Sequence, residues 1–83
     1  MLKLFDYEKM PVVEIVNEIL VDSSKRGASD IHFDPFSDYL LVRIRIDGIL
    51  NDYADIPNEI KNNVVTRIKI LGGMNITETR LPQ

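Results

Sequence analysis

Residues 39–53 constrain the fold of this chain more than any others. Tyr39 to Ile46 is rich in β-branched residues and alternates with period two through Val42-Arg43-Ile44-Arg45-Ile46, the pattern of a half-buried strand. Asp47-Gly48 follows, and glycine accepts the positive φ that a two-residue hairpin turn requires. Ile49 to about Tyr53 then forms the return strand. With that turn the register follows by counting. Ile46 faces Ile49, Ile44 faces Asn51 and Val42 faces Tyr53 on the mainly buried side. On the other side Arg45 lies across from Leu50 and Arg43 across from Asp52. A lone hairpin is marginally stable in water, so its neighbours in sequence must cover it.

Two helical patterns supply that cover. Pro11 suits the first position of a helix over about 11–26, where its missing N–H costs nothing. Val12, Val13, Ile15, Val16, Ile19 and Leu20 gather on one side at 100° per residue, with Glu14, Asn17, Glu18, Asp22 and Lys25 opposite. Ser23 sits inside the apolar stripe and permits close packing. Lys25 and Arg26 suit the negative end of the helix dipole, and Gly27 stops the helix. The stripe reads more simply as core than as a docking surface. Asp30 to Asp34 is a short strand broken at Pro35. The second helix spans about 58–71, entered through Asp55-Ile56-Pro57 and closed by Gly72-Gly73. Its stripe is Ile60, Val64, Ile68 and Leu71, and Arg67 projects between Val64 and Leu71. A charge there must snorkel, find an acid, or meet something outside the domain.

Residues 1–10 show no sustained period and read as a lead-in arm or short strand. Asn75-Ile76-Thr77-Glu78 resembles a capping box, which predicts one short turn of helix before Pro82. Helix, three antiparallel strands, helix and short helix make an α+β fold, a two-layer sandwich of helices on a sheet. Residues 11–83 form this one domain.

The composition narrows the chemistry. The 83 residues carry 10 Lys+Arg against 13 Asp+Glu, a net charge of −3, with no cysteine and one histidine. That excludes a disulfide framework, a thiolate metal site and a cysteine nucleophile. Net acidity argues against nucleic acid as a partner. His32 shares a strand face with Asp30 and Asp34, but same-face residues stand about 6.6–7 Å apart along a strand. An orienting hydrogen bond or a sheet-edge role for His32 is favoured over a metal site, and no metal is expected. A phosphate cradle needs Gly-x-x-x-x-Gly-Lys-Ser/Thr, and none of Gly27, Gly48, Gly72 or Gly73 begins one. These residues alone are not expected to hydrolyse ATP.

Five segments in order carry a resemblance: Pro11-Val12-Val13 with Val16-Asn17; Arg26-Gly27-Ala28-Ser29-Asp30-Ile31-His32; Val42-Arg43-Ile44-Arg45-Ile46-Asp47-Gly48; Arg67-Ile68-Lys69-Ile70-Leu71; and Arg80-Leu81-Pro82-Gln83. Together they resemble the N-terminal domain of the type II secretion and type IV pilus assembly ATPases. Departures are small: Asn75 stands where the family usually has Asp, and Thr77 and Thr79 replace Ala and a basic residue.

The resemblance implies a PAS-like domain preceding a RecA-like motor domain, with the chain ending at the hinge between them. It implies a cytoplasmic homo-hexamer serving protein transport, peripheral to the inner membrane through other components of the machine. The motor domains of the same and neighbouring subunits are the implied partners. ATP and Mg²⁺ are the implied cofactors of the longer parent, with none in this segment. It further implies that arginines of this domain approach nucleotide, since a cation from outside the phosphate cradle can assist phosphoryl transfer. Arg67, for its place on the apolar stripe, and Arg80, beside the hinge, are the candidates; the plainer alternative pairs Arg67 with an internal acid and leaves Arg80 solvated. Arg43 and Arg45 form a secondary basic face, or else a cross-strand pair with Asp52 and a solvated stem. A stand-alone sensor or protein-docking module of the same fold is the alternative function.

Overall fold

A computed structural model describes residues 2–72 and 75–76. The elements run α1 (Val12–Lys25), β1 (Asp30–Pro35), β2 (Tyr39–Ile46), β3 (Ile49–Pro57), α2 (Asn58–Leu71) and β4 (Asn75–Ile76). One sheet is ordered β3-β2-β1-β4; β2 lies antiparallel to β3 and β1, and β4 parallel to β1. The α+β architecture expected from periodicity is therefore present, with two helices packed against an antiparallel three-stranded core. The pattern at Asn75 predicts a helical turn, yet Asn75 and Ile76 pair with His32 and Phe33 as a strand. Edge pairing satisfies their backbone groups in place of a local cap. The remainder of the predicted turn lies outside the described residues.

Both helices start immediately after a proline. Pro11 (φ −60°, ψ 150°) and Pro57 (φ −66°, ψ 154°) hold the N-cap positions in extended conformation and make no side-chain cap. Pro11 is thus one position earlier than the sequence pattern places it. Its ring still fixes a favourable φ and removes a donor where the helix has no acceptor. Gly27 (φ 80°) follows α1 and Gly72 (φ 62°) ends α2, in left-handed geometry that a Cβ would strain.

The core joins Ile15, Val16 and Ile19 of α1 and Val64 and Ile68 of α2 to Phe33, Leu40, Val42, Ile44, Tyr53, Ala54 and Ile56 of the sheet. On β2 burial alternates, with Leu40, Val42 and Ile44 inside and Arg43 and Arg45 on the other face. Val13, placed on the α1 stripe by its angle, is exposed, as is Leu71 on α2.

The hairpin turn is as the sequence predicts, with Asp47 at φ 52° and Gly48 at φ 79°. Register holds for Ile46↔Ile49, Arg45↔Leu50, Ile44↔Asn51 and Arg43↔Asp52, and then slips. Val42 pairs with Ala54, not Tyr53, because β3 carries Tyr53 as an extra residue opposite the Val42–Arg43 step of β2. Tyr53 and Ala54 are consequently both buried. β3 also continues to Pro57, so Asp55 and Ile56 belong to the strand instead of a loop.

The N-terminal residues run as an arm along the β3 edge of the sheet. Lys3 N–H donates to the Tyr53 carbonyl at 2.7 Å and the Tyr7 hydroxyl to the Asp55 carbonyl at 3.1 Å. Phe5, Tyr7 and Met10 pack against the core. The arm thereby covers an edge that would otherwise present unpaired backbone groups.

Candidate functional site

The described candidate arginines fall into two environments. Arg43 and Arg45 stand on the sheet face away from the helices. Arg43 Nε donates to Asp34 Oδ2 at 2.9 Å, and its Nη2 binds the same oxygen. Asp34 is only 2% exposed, and its Oδ1 has no hydrogen-bond partner. Arg45 Nε donates to Asp30 Oδ2 at 3.2 Å, and its Nη1 to the Gly48 carbonyl at 3.2 Å. The cross-strand neighbour of Arg43 is Asp52, as counting predicts, but the carboxylate that Arg43 engages belongs to β1. A diagonal partner on the far strand wins because Asp34 is buried and needs a cation, whereas Asp52 is exposed and hydrated. The secondary basic face is therefore largely neutralised from within.

His32 stands opposite Arg43. Its Nε2 lies 2.6 Å from Asp30 Oδ1, close in distance though not aligned as a hydrogen bond. Asp30 and Asp34 each serve an arginine, so the three residues sharing this strand face do not converge on one point. His32 thus stands beside Asp30 without the orienting hydrogen bond that the sequence pattern favours.

Arg67 is different. It is half-buried on α2 at the position its helical angle predicts. Around it lie Val12 and Val13 from the first turn of α1 and Asn63, Thr66 and Ile70 from α2, which together line a shallow groove of about 390 Å³. Its Nε is buried and has no hydrogen-bond acceptor. Among the described residues no carboxylate pairs with it, so the internal acid offered as its plainer partner is not found there. Arg80 lies outside the described residues.

A further cluster was not legible in the sequence. Tyr53 donates its hydroxyl to Asp22 Oδ2 at 2.6 Å. Arg26 Nη2 lies 3.2 Å from the same oxygen, one helical turn on, and Lys3 Nζ 3.8 Å away. The Arg26 guanidinium also sits over the Tyr53 ring, 5.2 Å from its centroid. The Tyr53 hydroxyl, followed by Arg26, holds the Asp22 carboxyl below its ordinary pKa against the opposing effect of burial. Burial and the Asp22 charge raise the tyrosine. The Asp22–Arg26 spacing of four was visible; Tyr53 arrives only through the bulge. This cluster ties α1 to β3.

Gly27, Gly48 and Gly72 are spent on a helix stop, a hairpin turn and a helix end. What the site offers, among the described residues, is one cation with an unsatisfied donor in a groove of aliphatic and neutral polar side chains. Among the described residues no helix is long and apolar enough to cross a membrane.

Comparison with known proteins places the fold in a family. Residues 6–83 match the family described as Type II/IV secretion system protein. The chain is 44% identical over 73 residues to the type IV pilus assembly ATPase PilB of Myxococcus xanthus, covering 88% of this chain and 13% of that protein. Against PilB of Pseudomonas aeruginosa the identity is 41% over 73 residues, with the same coverage of 88% and 13%. It is also 36% identical over 73 residues to the type II secretion system protein E of Pectobacterium carotovorum, covering 88% of this chain and 15% of that protein. The chain thus spans about an eighth of the length of these relatives. With its match running through nearly all of the described fold, the chain belongs to the type II/IV secretion system protein family, in the N-terminal domain of its secretion and pilus-assembly ATPases.

Proposed function

We propose that this domain is a non-catalytic lever of a secretion or pilus-assembly ATPase. It packs on a RecA-like motor domain of its own or a neighbouring subunit in a hexamer, on the cytoplasmic side of the inner membrane. There it transmits domain motion as the motor cycles between nucleotide states. Arg67 and Arg80 extend towards the phosphates of ATP bound with Mg²⁺ in the motor. A cation brought from another domain adds positive charge near the γ-phosphate only when the two domains close, which couples turnover to motion.

The observation carrying this reading is the Arg67 guanidinium. Its Nε is buried without an acceptor, whereas Arg43 and Arg45 have carboxylates close by. A group left in that condition is expected to be completed by something from outside the domain.

In the protein as its gene encodes it, Arg67→Ala is expected to lower ATP turnover by more than the loss of folded protein explains. Wild-type turnover in the folded variant removes the phosphate role. Calorimetry of residues 1–83 with ATP and Mg²⁺ is expected to show no tight binding, and micromolar affinity would overturn the assignment of nucleotide to the motor.

A further inference from the structure

Exposed aliphatic side chains cluster around Arg67. Val13 is 44% exposed and Ile70 70%, and both line the groove that holds the guanidinium; Leu71, next on α2, is exposed as well. Asn63 and Thr66 complete the lining and are neutral, so among the described residues Arg67 is the only charge in it. Its Nε–H is shielded from water yet has no acceptor, a condition that costs free energy until an acceptor arrives.

The surface asks for two things at once. The Nε–H needs an oxyanion, and the valines and Ile70 need apolar cover. A nucleoside triphosphate supplies the first without the second, bringing several charges against one cation. A second copy of this face, packed on itself about a two-fold axis, sets Arg67 against Arg67. A carboxylate carried by a protein segment between aliphatic side chains supplies both.

We propose that the α1–α2 groove docks a partner segment presenting an aspartate or glutamate flanked by aliphatic residues, whose carboxylate accepts the Arg67 Nε–H. The inference rests on the reading above that this domain packs on another protein body, and it names the chemistry of that contact. A guanidinium has five N–H donors in a rigid fork. A carboxylate on the Nε edge orients the group and leaves the remaining N–H groups for a phosphate. Arg67 is in that case a docked and positioned cation, held by its partner before it meets nucleotide.

The test places a photo-crosslinking amino acid at Ile70, and separately at Val13, in the protein as its gene encodes it, and maps the adducts by mass spectrometry. The expected adduct is a peptide outside this domain with an acidic residue among aliphatic ones. Arg67→Glu is expected to lower its yield about tenfold or more, because like charges then meet across the contact. Reversing the mapped carboxylate to lysine is expected to restore it. Arg67→Lys keeps the charge but lacks the Nε donor and recovers the yield only in part. Arg67→Met, which keeps the apolar stem, is the folding control; it is expected to melt as the wild type does and to lose the adduct.

An unchanged yield in Arg67→Glu overturns the proposal, as does an adduct to bound nucleotide, to this face of a second copy, or to nothing outside the domain. ATP turnover reads the phosphate role separately. Turnover lost with the adduct intact sinks the docking carboxylate and spares the phosphate contact. The adduct lost with wild-type turnover does the reverse.

Discussion

Arg43 and Arg67 are the same side chain in opposite circumstances. Arg43 lies on a sheet whose next strand brings Asp34 against it, so the domain completes the pair by itself. Arg67 lies on a helix face where the neighbouring helix brings only Val12 and Val13. The difference teaches where the domain is finished and where it is not. An ion pair buried within one fold is a structural tie, and breaking it leaves a charge stranded. An arginine shielded among aliphatics without an acceptor contributes little to folding and is available for recognition.

That contrast is sharpest in the cost of deletion. Arg43→Ala leaves the buried Asp34 carboxylate without its cation and is expected to destabilise the fold by roughly 2–4 kcal/mol. The figure is set below the full range for buried pairs because solvent reaches part of Arg43. Urea denaturation measures it, and a loss under about 1 kcal/mol, the scale of a surface pair, would place Arg43 in the same class as Arg67. Asp34→Leu with Arg43→Leu is expected to recover much of the loss, since no charge is then stranded.

Tyr53→Phe tests the second internal tie. Removing a hydroxyl donated to a carboxylate is expected to cost about 1.5–3 kcal/mol. The pH dependence has a definite sign. Asp22 is held below its ordinary pKa, so its contribution is present above about pH 4 and lost as acid protonates it. Tyr53 is held up, so its contribution is full below about pH 10 and declines as alkali ionises it. Both slopes are expected to flatten in Tyr53→Phe when denaturation is followed against pH. Unchanged slopes would mean that the hydroxyl does not control the Asp22 carboxyl.

Smaller effects are expected where a polar group is buried without a partner. Ser23 is buried in α1 and its hydroxyl has no hydrogen bond. Ser23→Ala removes that group and improves helix propensity, and is expected to raise stability by up to about 1 kcal/mol. Arg67→Met removes a buried donor that already lacks an acceptor and keeps the apolar stem, so it is expected not to lower stability and to change it by less than about 1 kcal/mol. A loss of several kcal/mol there would show that Arg67 is a fold-holding residue after all and erase its contrast with Arg43.

The helices, the hairpin turn and the first four cross-strand pairs are local matters, and they are legible in the sequence. A 3.6-residue period, a period of two and an Asp-Gly turn each report on neighbours a few residues away, so counting along the chain suffices. The anomaly at Arg67 is legible for the same reason, because a helix carries its angle from Ile60 to Leu71 without reference to anything else. Counting fails at Val42, where the bulge moves Tyr53 out of step and turns it towards Asp22. It fails again at Asn75, where the open edge of β1 captures residues whose local pattern favours a helical cap. Nor does spacing reveal that Arg43 prefers Asp34 to Asp52, since that choice depends on which carboxylate the packed sheet has removed from water. Partners for charges and edges were chosen by burial, a property of the assembled fold that no single segment possesses.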